Sequence, residues 1–190
     1  MNVDVKPEAI AMHEAGHVLV AYYYGRKIYG AHLGGHLSSY SDSYVRFALT
    51  PYLEDVHRKP EQLHVLWPLA VRETLVTTRI RLAGVMAQSI YEKKSYREMA
   101  GGQDYRDAIF DLLQLERLRL SLPQCDGLDT HYKHEDILDT LADDIMALFH
   151  DPVCRPFLDV LSANLLEKQT LNGGDITQIL ASMPRQQWPE

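Results

Sequence analysis

From Lys6 to Tyr24 the chain reads KPEAIAMHEAGHVLVAYYY, apolar or small at most positions, with Pro7 at its start and Gly25-Arg26-Lys27 at its end. Proline is tolerated in a first helical turn, where its missing N–H has no intrahelical partner, and glycine followed by basic residues is a stop signal. The pattern predicts a helix over 6–24, and Ile10, Val18, Leu19 and Val20 mark it as largely buried. Beyond it, KIYGAHL and SYVRFAL are β-prone pieces separated by a polar, glycine- and serine-containing stretch, which predicts a small hairpin or edge-strand pair. Pro51 and Pro60 bracket YLEDVHRK, a loop or short helix.

Helical spacing returns between His64 and Tyr91, with Leu75, Ile80, Leu82, Val85 and Met86 as core candidates, and the firmest helical signal lies in the second half of this stretch. KKSYREMAGGQ interrupts the pattern, and DYRDAIFDLLQLERLRLSL resumes it with a stripe of Ile109, Leu112, Leu113, Leu115 and Leu118. After the linker PQCDGLD, two further helices are expected in HEDILDTLADDIMALFH and PVCRPFLDVLSANLLEKQ, the second opening after Pro152, and a short last one in GDITQILASM. The sum is a mainly α protein of about five to six helices with a small β element. We read one domain over residues 1–190, its helical C-terminal part spanning about 124–184, with no internal repeat.

Composition narrows the picture. With 190 residues and 46% hydrophobic content the chain is long enough to bury a real core. Its 19 Lys+Arg against 26 Asp+Glu give a net charge of -7, and no basic block of the kind that binds phosphate backbones occurs, so nucleic acid is not expected as a partner. Cys125 and Cys154 form no CxxC motif and are too few for a disulfide framework, which fits a reducing compartment and a cytoplasmic protein. The N-terminus does not read as a secretory signal, and no apolar run approaches the roughly 20 residues that span a bilayer, so membrane insertion by this chain is not expected. GRKIYGAH has the glycine spacing of a phosphate loop, but Ala31 and His32 stand where Lys and Ser/Thr are required.

The chemistry concentrates in HEAGH, residues 13–17. Helical positions four apart differ by about 40° around the axis, so His13 and His17 can present two imidazoles to one ion, a geometry suited to tetrahedral zinc. Glu14 lies about 100° around from His13, where its carboxylate can reach a water on that ion and act as general base and then proton donor to a leaving amine. The motif arises by chance often enough that it does not decide the matter alone. Its burial adds weight, because two histidines and a glutamate in a buried helix are costly without a ligand.

A catalytic zinc needs a third protein ligand. VLVAYYYG carries no histidine at the spacing HExxHxxGxxH, so that ligand must come from a distant segment. Asp104, after Gly101-Gly102, is the attractive candidate, with Asp107 and Glu73 as competitors. The residues alone also allow Asp104 to be a helix N-cap with Asp107 completing a capping box.

Several other groups read more plainly. His131 and His134 fall on an acidic, solvated surface, and Asp136, Asp139, Asp143 and Asp144 form the wet face of a helix. Tyr22, Tyr23 and Tyr24 read as packing and helix-end residues, and Ser39, Ser41 and Ser43 lack a nucleophile-elbow context. His32, His36, His57 and His64 lie near the strand and loop region and are candidates for stabilising an oxyanion, with nothing to choose among them.

Three separated stretches resemble the peptidase domain of the FtsH-type zinc metalloproteases, peptidase family M41. AMHEAGHVLVAYYYG is similar to the family's HEAGHA helix. RIRLAGVMAQSIYEKKSYREMAGGQDYRDAI looks like its LGGRAAE-type helix, glycine-containing loop and GASNDLxxAT helix start, and LLEKQTLNGGDITQIL is similar to its LLEKETLDGEEI. The resemblance implies a zincin-like fold and a zinc ion held by His13, His17 and Asp104, with Glu14 as the base and Ala108 matching the alanine of DLxxA. It departs at Gln103, where the family has asparagine, at Ala83-Gly84 in place of a glycine pair, and at KIYGAHLGG in place of the edge strand KVTIIPRG.

The family's ATPase module and membrane helices have no counterpart in these residues. The expected activity is therefore an ATP-independent zinc metalloendopeptidase acting on flexible or unfolded polypeptides, or one that works with a separate ATPase partner or as a homo-oligomer. Two rival readings are a catalytically inactive metal-binding protein-interaction module and a zinc hydrolase acting on a non-peptide amide.

Overall fold

Helix α1 (Pro7–Tyr23) begins with its proline at the first helical position and is buried without a break from Ala9 to Tyr22. That explains why it carries no polar stripe: it lies between two other helices, α2 (Leu63–Glu92) and α5 (Arg155–Lys168), with the sheet beside it. The contact with α2 is close because the facing residues are small. A Cβ added to Gly16 would come within 2.5 Å of the Ala83 carbonyl oxygen and 2.7 Å of the Ala87 Cβ.

The computed structural model describes residues 6–34, 42–48, 58–99, 101–121 and 133–186. Within them the protein is mainly helical, as the hydrophobic spacing predicts, with six α-helices and a small antiparallel sheet. Helix α2 is one continuous element of 30 residues, longer than the half of its segment that reads most clearly as helix. Pro68 lies inside its second turn, where its missing N–H forfeits one intrahelical bond. The helix stops at Lys93, whose φ of 57° turns the chain in the left-handed region.

A short 3-10 turn (Tyr96–Met99) and Gly101-Gly102 then lead into α3 (Gln103–Ser121). This helix packs on α2 and buries Ala108 together with Leu112, Leu115 and Leu118, three of the five residues of the stripe read from the sequence; Ile109 and Leu113 are half-buried. Helix α4 (His134–His150) buries Leu138, Leu141, Ala142, Ile145 and Phe149 and leaves Asp136, Asp139, Asp143 and Asp144 exposed, as the sequence predicts. Two of these acids meet arginines from elsewhere, Arg97 on Asp139 and Arg79 on Asp144.

The expected strand pair is present as β1 (Ile28–His32) and β2 (Tyr44–Phe47), antiparallel, with Ala31 opposite Val45. A third strand, β3 (Thr170–Asn172), pairs with the other edge of β1 and places Leu171 opposite Ala31, giving the order β2-β1-β3. Asn172 at once caps α6 (Gly173–Ile179): its side chain accepts from the Gly174 and Asp175 N–H groups, while Asp175 accepts from the Asn172 N–H. Where GRKIYGAH had the spacing of a phosphate loop, its last five residues are strand β1.

Among the described residues no helix is long and apolar enough to cross a membrane. Cys154 is a free, buried thiol, and burial with the nearby Asp151 carboxylate pushes its pKa up to about 11. Cys125, the PQCDGLD linker and the segment YLEDVHRK, apart from Arg58 and Lys59, lie outside the described residues.

Candidate metal centre

His13 and His17 sit one turn apart on α1, and both are more than nine-tenths buried. Each ring is held from behind by an acceptor on α2. His17 Nδ1 lies 2.6 Å from the Ile80 carbonyl oxygen, and a carbonyl can only accept, so the ring donates Nδ1–H there. His13 Nδ1 lies 3.2 Å from Gln88 Oε1. The Gln88 amide nitrogen donates to Glu92, which also accepts from Lys94, so the amide oxygen is the atom left to face His13. Both Nε2 lone pairs are thereby directed to the same side, 3.1 Å apart.

Asp104 closes the group from α3. Helix α3 opens at Gln103, and Asp104 in its first turn points its carboxylate at the histidine pair instead of capping the helix. Its Oδ2 is 2.9 Å from His13 Nε2 and 3.4 Å from His17 Nε2. The two competitors are engaged elsewhere. Asp107 pairs with Arg81, and Glu73 pairs with Arg26 and Arg72. Among the described residues, His13, His17 and Asp104 are the group whose ligand atoms converge closely enough to hold a metal ion, all within 4.8 Å of one another.

Two imidazole nitrogens and a carboxylate oxygen facing one another need a cation between them, either a proton or a metal ion. The spacing fits a metal. With bonds of about 2.0–2.1 Å, tetrahedral ligands lie about 3.3 Å apart, close to the distances observed. Room for them is kept by Gly84, where α2 passes beneath the rings: a Cβ there would fall within 2.5 Å of His13 Nε2 and nearer still to His17 Nε2. The rear acceptors are the kind that fix the tautomer and orientation of metal-ligating histidines.

The ionisation of the group follows from the same contacts. Burial opposes a charge on His17, but the hydrogen bond to Asp104 and its charge outweigh this and raise the ring to about 9. Burial would raise Asp104, yet its contacts with His13 and His17 hold its carboxyl far below the usual range. Glu14 differs. It is 4% exposed, and burial pushes its pKa up, with His17 and His13 pulling the other way. Among the described residues no donor bonds its carboxylate, which lines the same cleft as the three ligands.

That cleft has a volume of about 750 Å³. It is lined by His13, His17, Asp104 and Glu14, by Ser43, Tyr44, Val45 and Phe47 of the β2 segment, and by Ile80, Arg81, Val85 and Gln88 of α2. His32, an oxyanion candidate, is instead bonded to Thr170 and does not line the cleft. His36 and His57 lie outside the described residues, as does the side chain of His64. His134 faces Glu116, and its companion His131 lies outside the described residues. Tyr22 is buried, Tyr23 bonds Gln186 and Tyr24 lies near Arg79, all packing roles. Ser43 accepts from the Gly34 N–H, and Ser39 and Ser41 lie outside the described residues.

Sequence reasoning missed Gln88 and the particular role of Gly84. A signal for the first was available: Gln88 is the polar interruption in the apolar run GVMAQSI, and buried amides need partners.

No protein-family model matches the chain, and no curated protein is significantly similar to it.

Proposed function

We propose that this chain is a zinc metalloendopeptidase of the FtsH-type M41 kind, cleaving flexible or unfolded polypeptides in the cytoplasm. The observation that carries the reading is the joint arrangement of His13, His17 and Asp104 around one point, with the buried carboxylate of Glu14 in the same cleft. Two imidazoles and one carboxylate suit zinc, and in catalytic zinc sites three protein ligands leave a further position open. When bound there, a zinc ion acidifies a water and polarises a carbonyl.

The chain's own residues supply the rest. Glu14 takes the proton of the attacking water and returns it to the departing amine. Its upward-shifted pKa suits both duties, because a base that must also act as an acid works best with a pKa near the working pH. Gln88 and the Ile80 carbonyl hold the two rings in the tautomer that presents Nε2. Strand β2 is an outer strand of the sheet and borders the cleft, so an extended polypeptide can lie along it through backbone hydrogen bonds. Such recognition favours unfolded chains over a single small molecule.

The test is degradation of an unfolded protein such as casein, with zinc content measured alongside, for the wild type and Glu14→Gln, with and without ATP. We expect wild-type cleavage without ATP, and zinc retained but cleavage at least about a hundredfold lower in Glu14→Gln. Cleavage that persists in the variant would refute the mechanism. Zinc in both proteins with cleavage in neither would favour a metal-binding interaction module, and dependence on ATP with an added ATPase would assign the chain a motor partner.

A further inference from the structure

Asp104 reaches the histidine pair from the first turn of a helix whose preceding loop offers little steric support. A Cβ on Gly101 would meet nothing within 4 Å, and one on Gly102 would meet only the Met99 carbonyl oxygen at 3.9 Å. Apolar packing of Leu112, Leu115 and Leu118 turns one face of α3 inward, which sets the rotation of the helix only to within tens of degrees. Polar contacts outside that stripe can narrow the aim of the carboxylate.

A chain of polar contacts runs from the loop, through the first turns of α3, to one residue of α2. Arg106 donates to the Gly101 carbonyl at 2.5 Å and to Gln103 Oε1 at 2.9 Å. Gln103 Nε2 in turn donates to Asp107 Oδ1 at 2.6 Å. Arg81 Nη1 is 3.1 Å from Asp107 Oδ2 and Arg81 Nε is 3.0 Å from Asp111 Oδ2, two ion pairs held by charge and not by aligned hydrogen bonds. Asp107 and Asp111 lie three and seven positions beyond Asp104, on the same face of α3. Arg81 directly follows Ile80, whose carbonyl orients His17.

We infer that Arg81 is a positioning residue of the metal centre: its guanidinium is ion-paired with α3 at both Asp107 and Asp111, and these two attachment points on one face aim the Asp104 carboxylate at His13 and His17. One turn of α2 then orients two ligands from two different helices, His17 through the Ile80 carbonyl and Asp104 through the Arg81 ion pairs. A lysine offers one ammonium where the guanidinium meets the two carboxylates from two separate nitrogens, so it cannot reproduce both pairs. Burial raises the pKa of Asp111, the Arg81 charge opposes that rise and the Asp107 charge adds to it.

The inference rests on the metal-binding reading, and the experiment separates the two. Zinc and cobalt affinities are measured by competition with a colorimetric chelator, and the visible cobalt spectrum is recorded, for wild type, Arg81→Met, Arg81→Lys, Asp104→Ala and the double variant Arg81→Met/Asp104→Ala. Arg81→Met should keep its helical circular dichroism, bind metal roughly 10–100-fold more weakly and show an altered cobalt spectrum. Arg81→Lys should fall between it and wild type, and the double variant should bind like Asp104→Ala alone. Unchanged affinity in Arg81→Met, or an equal loss in the Asp104→Ala background, would overturn the inference while leaving the metal site standing. A wild type that binds neither ion would overturn the metal site itself. Should Arg81→Met fail to fold, Asp107→Asn carries the same comparison: a loss confined to proteins with Asp104 supports the inference, and no loss overturns it.

Discussion

Gly84 has no side chain to contribute, and that is its function here. It lies under the two imidazoles, and the space a methyl group would fill is the space the Nε2 atoms occupy. Alanine is the better helix former by about 0.8–1.0 kcal/mol, so Gly84→Ala should not unravel α2, yet it should displace both rings. We expect this variant to retain its helicity and lose zinc binding by at least about tenfold, read by circular dichroism and competition titration; wild-type affinity would show that the rings need no such clearance. At this scale the sequence was informative about HEAGH, because a spacing of four on a helix determines which side chains face together. It was less informative about the third ligand. Asp104 was the favoured candidate, with Asp107 and Glu73 as competitors, and what engages those two, Arg81 for Asp107 and Arg26 for Glu73, comes from other segments.

At the scale of elements, the close approach of α1 to α2 sets the site. The two rings are on α1 and their rear acceptors are on α2, so the separation of these helices decides whether the Nδ1 hydrogen bonds form. Gly16 allows that separation, since an added Cβ would meet the Ala83 carbonyl, a backbone atom that cannot swing aside. Gly16→Ala should therefore destabilise the fold by about 1–3 kcal/mol despite its higher helix propensity, measured by chemical denaturation, and an unchanged midpoint would mean that the contact relaxes freely. Helices were the legible elements. All six were expected from the apolar pattern, α2 only in its second half, and the burial of α1 on all sides was foreshadowed by its lack of a polar stripe. Strand β3 was not anticipated, because three residues between a helix end and a helix cap carry no periodicity and are strand only through pairing with β1.

The whole molecule brings together residues 91 positions apart to form the metal group, His13 from α1 and Asp104 from α3. It also brings residues of the outer strand β2 into the lining of the same cleft, so the cleft is a product of tertiary packing that no single segment announces. The mainly α architecture with a small sheet followed from the pattern of apolar positions. The cleft did not, because its walls come from β2, α2 and the start of α3, each of which reads in isolation as an ordinary strand or helix. The central claim is that His13, His17 and Asp104 hold one zinc ion. Its most direct test is the zinc content per chain of purified wild type and Asp104→Ala, measured by atomic emission after gel filtration. We predict about one zinc per wild-type chain and most of it lost in the variant, as expected when one of three protein ligands is removed. A wild type without zinc after metal loading, or a variant that keeps its full complement, would contradict the account.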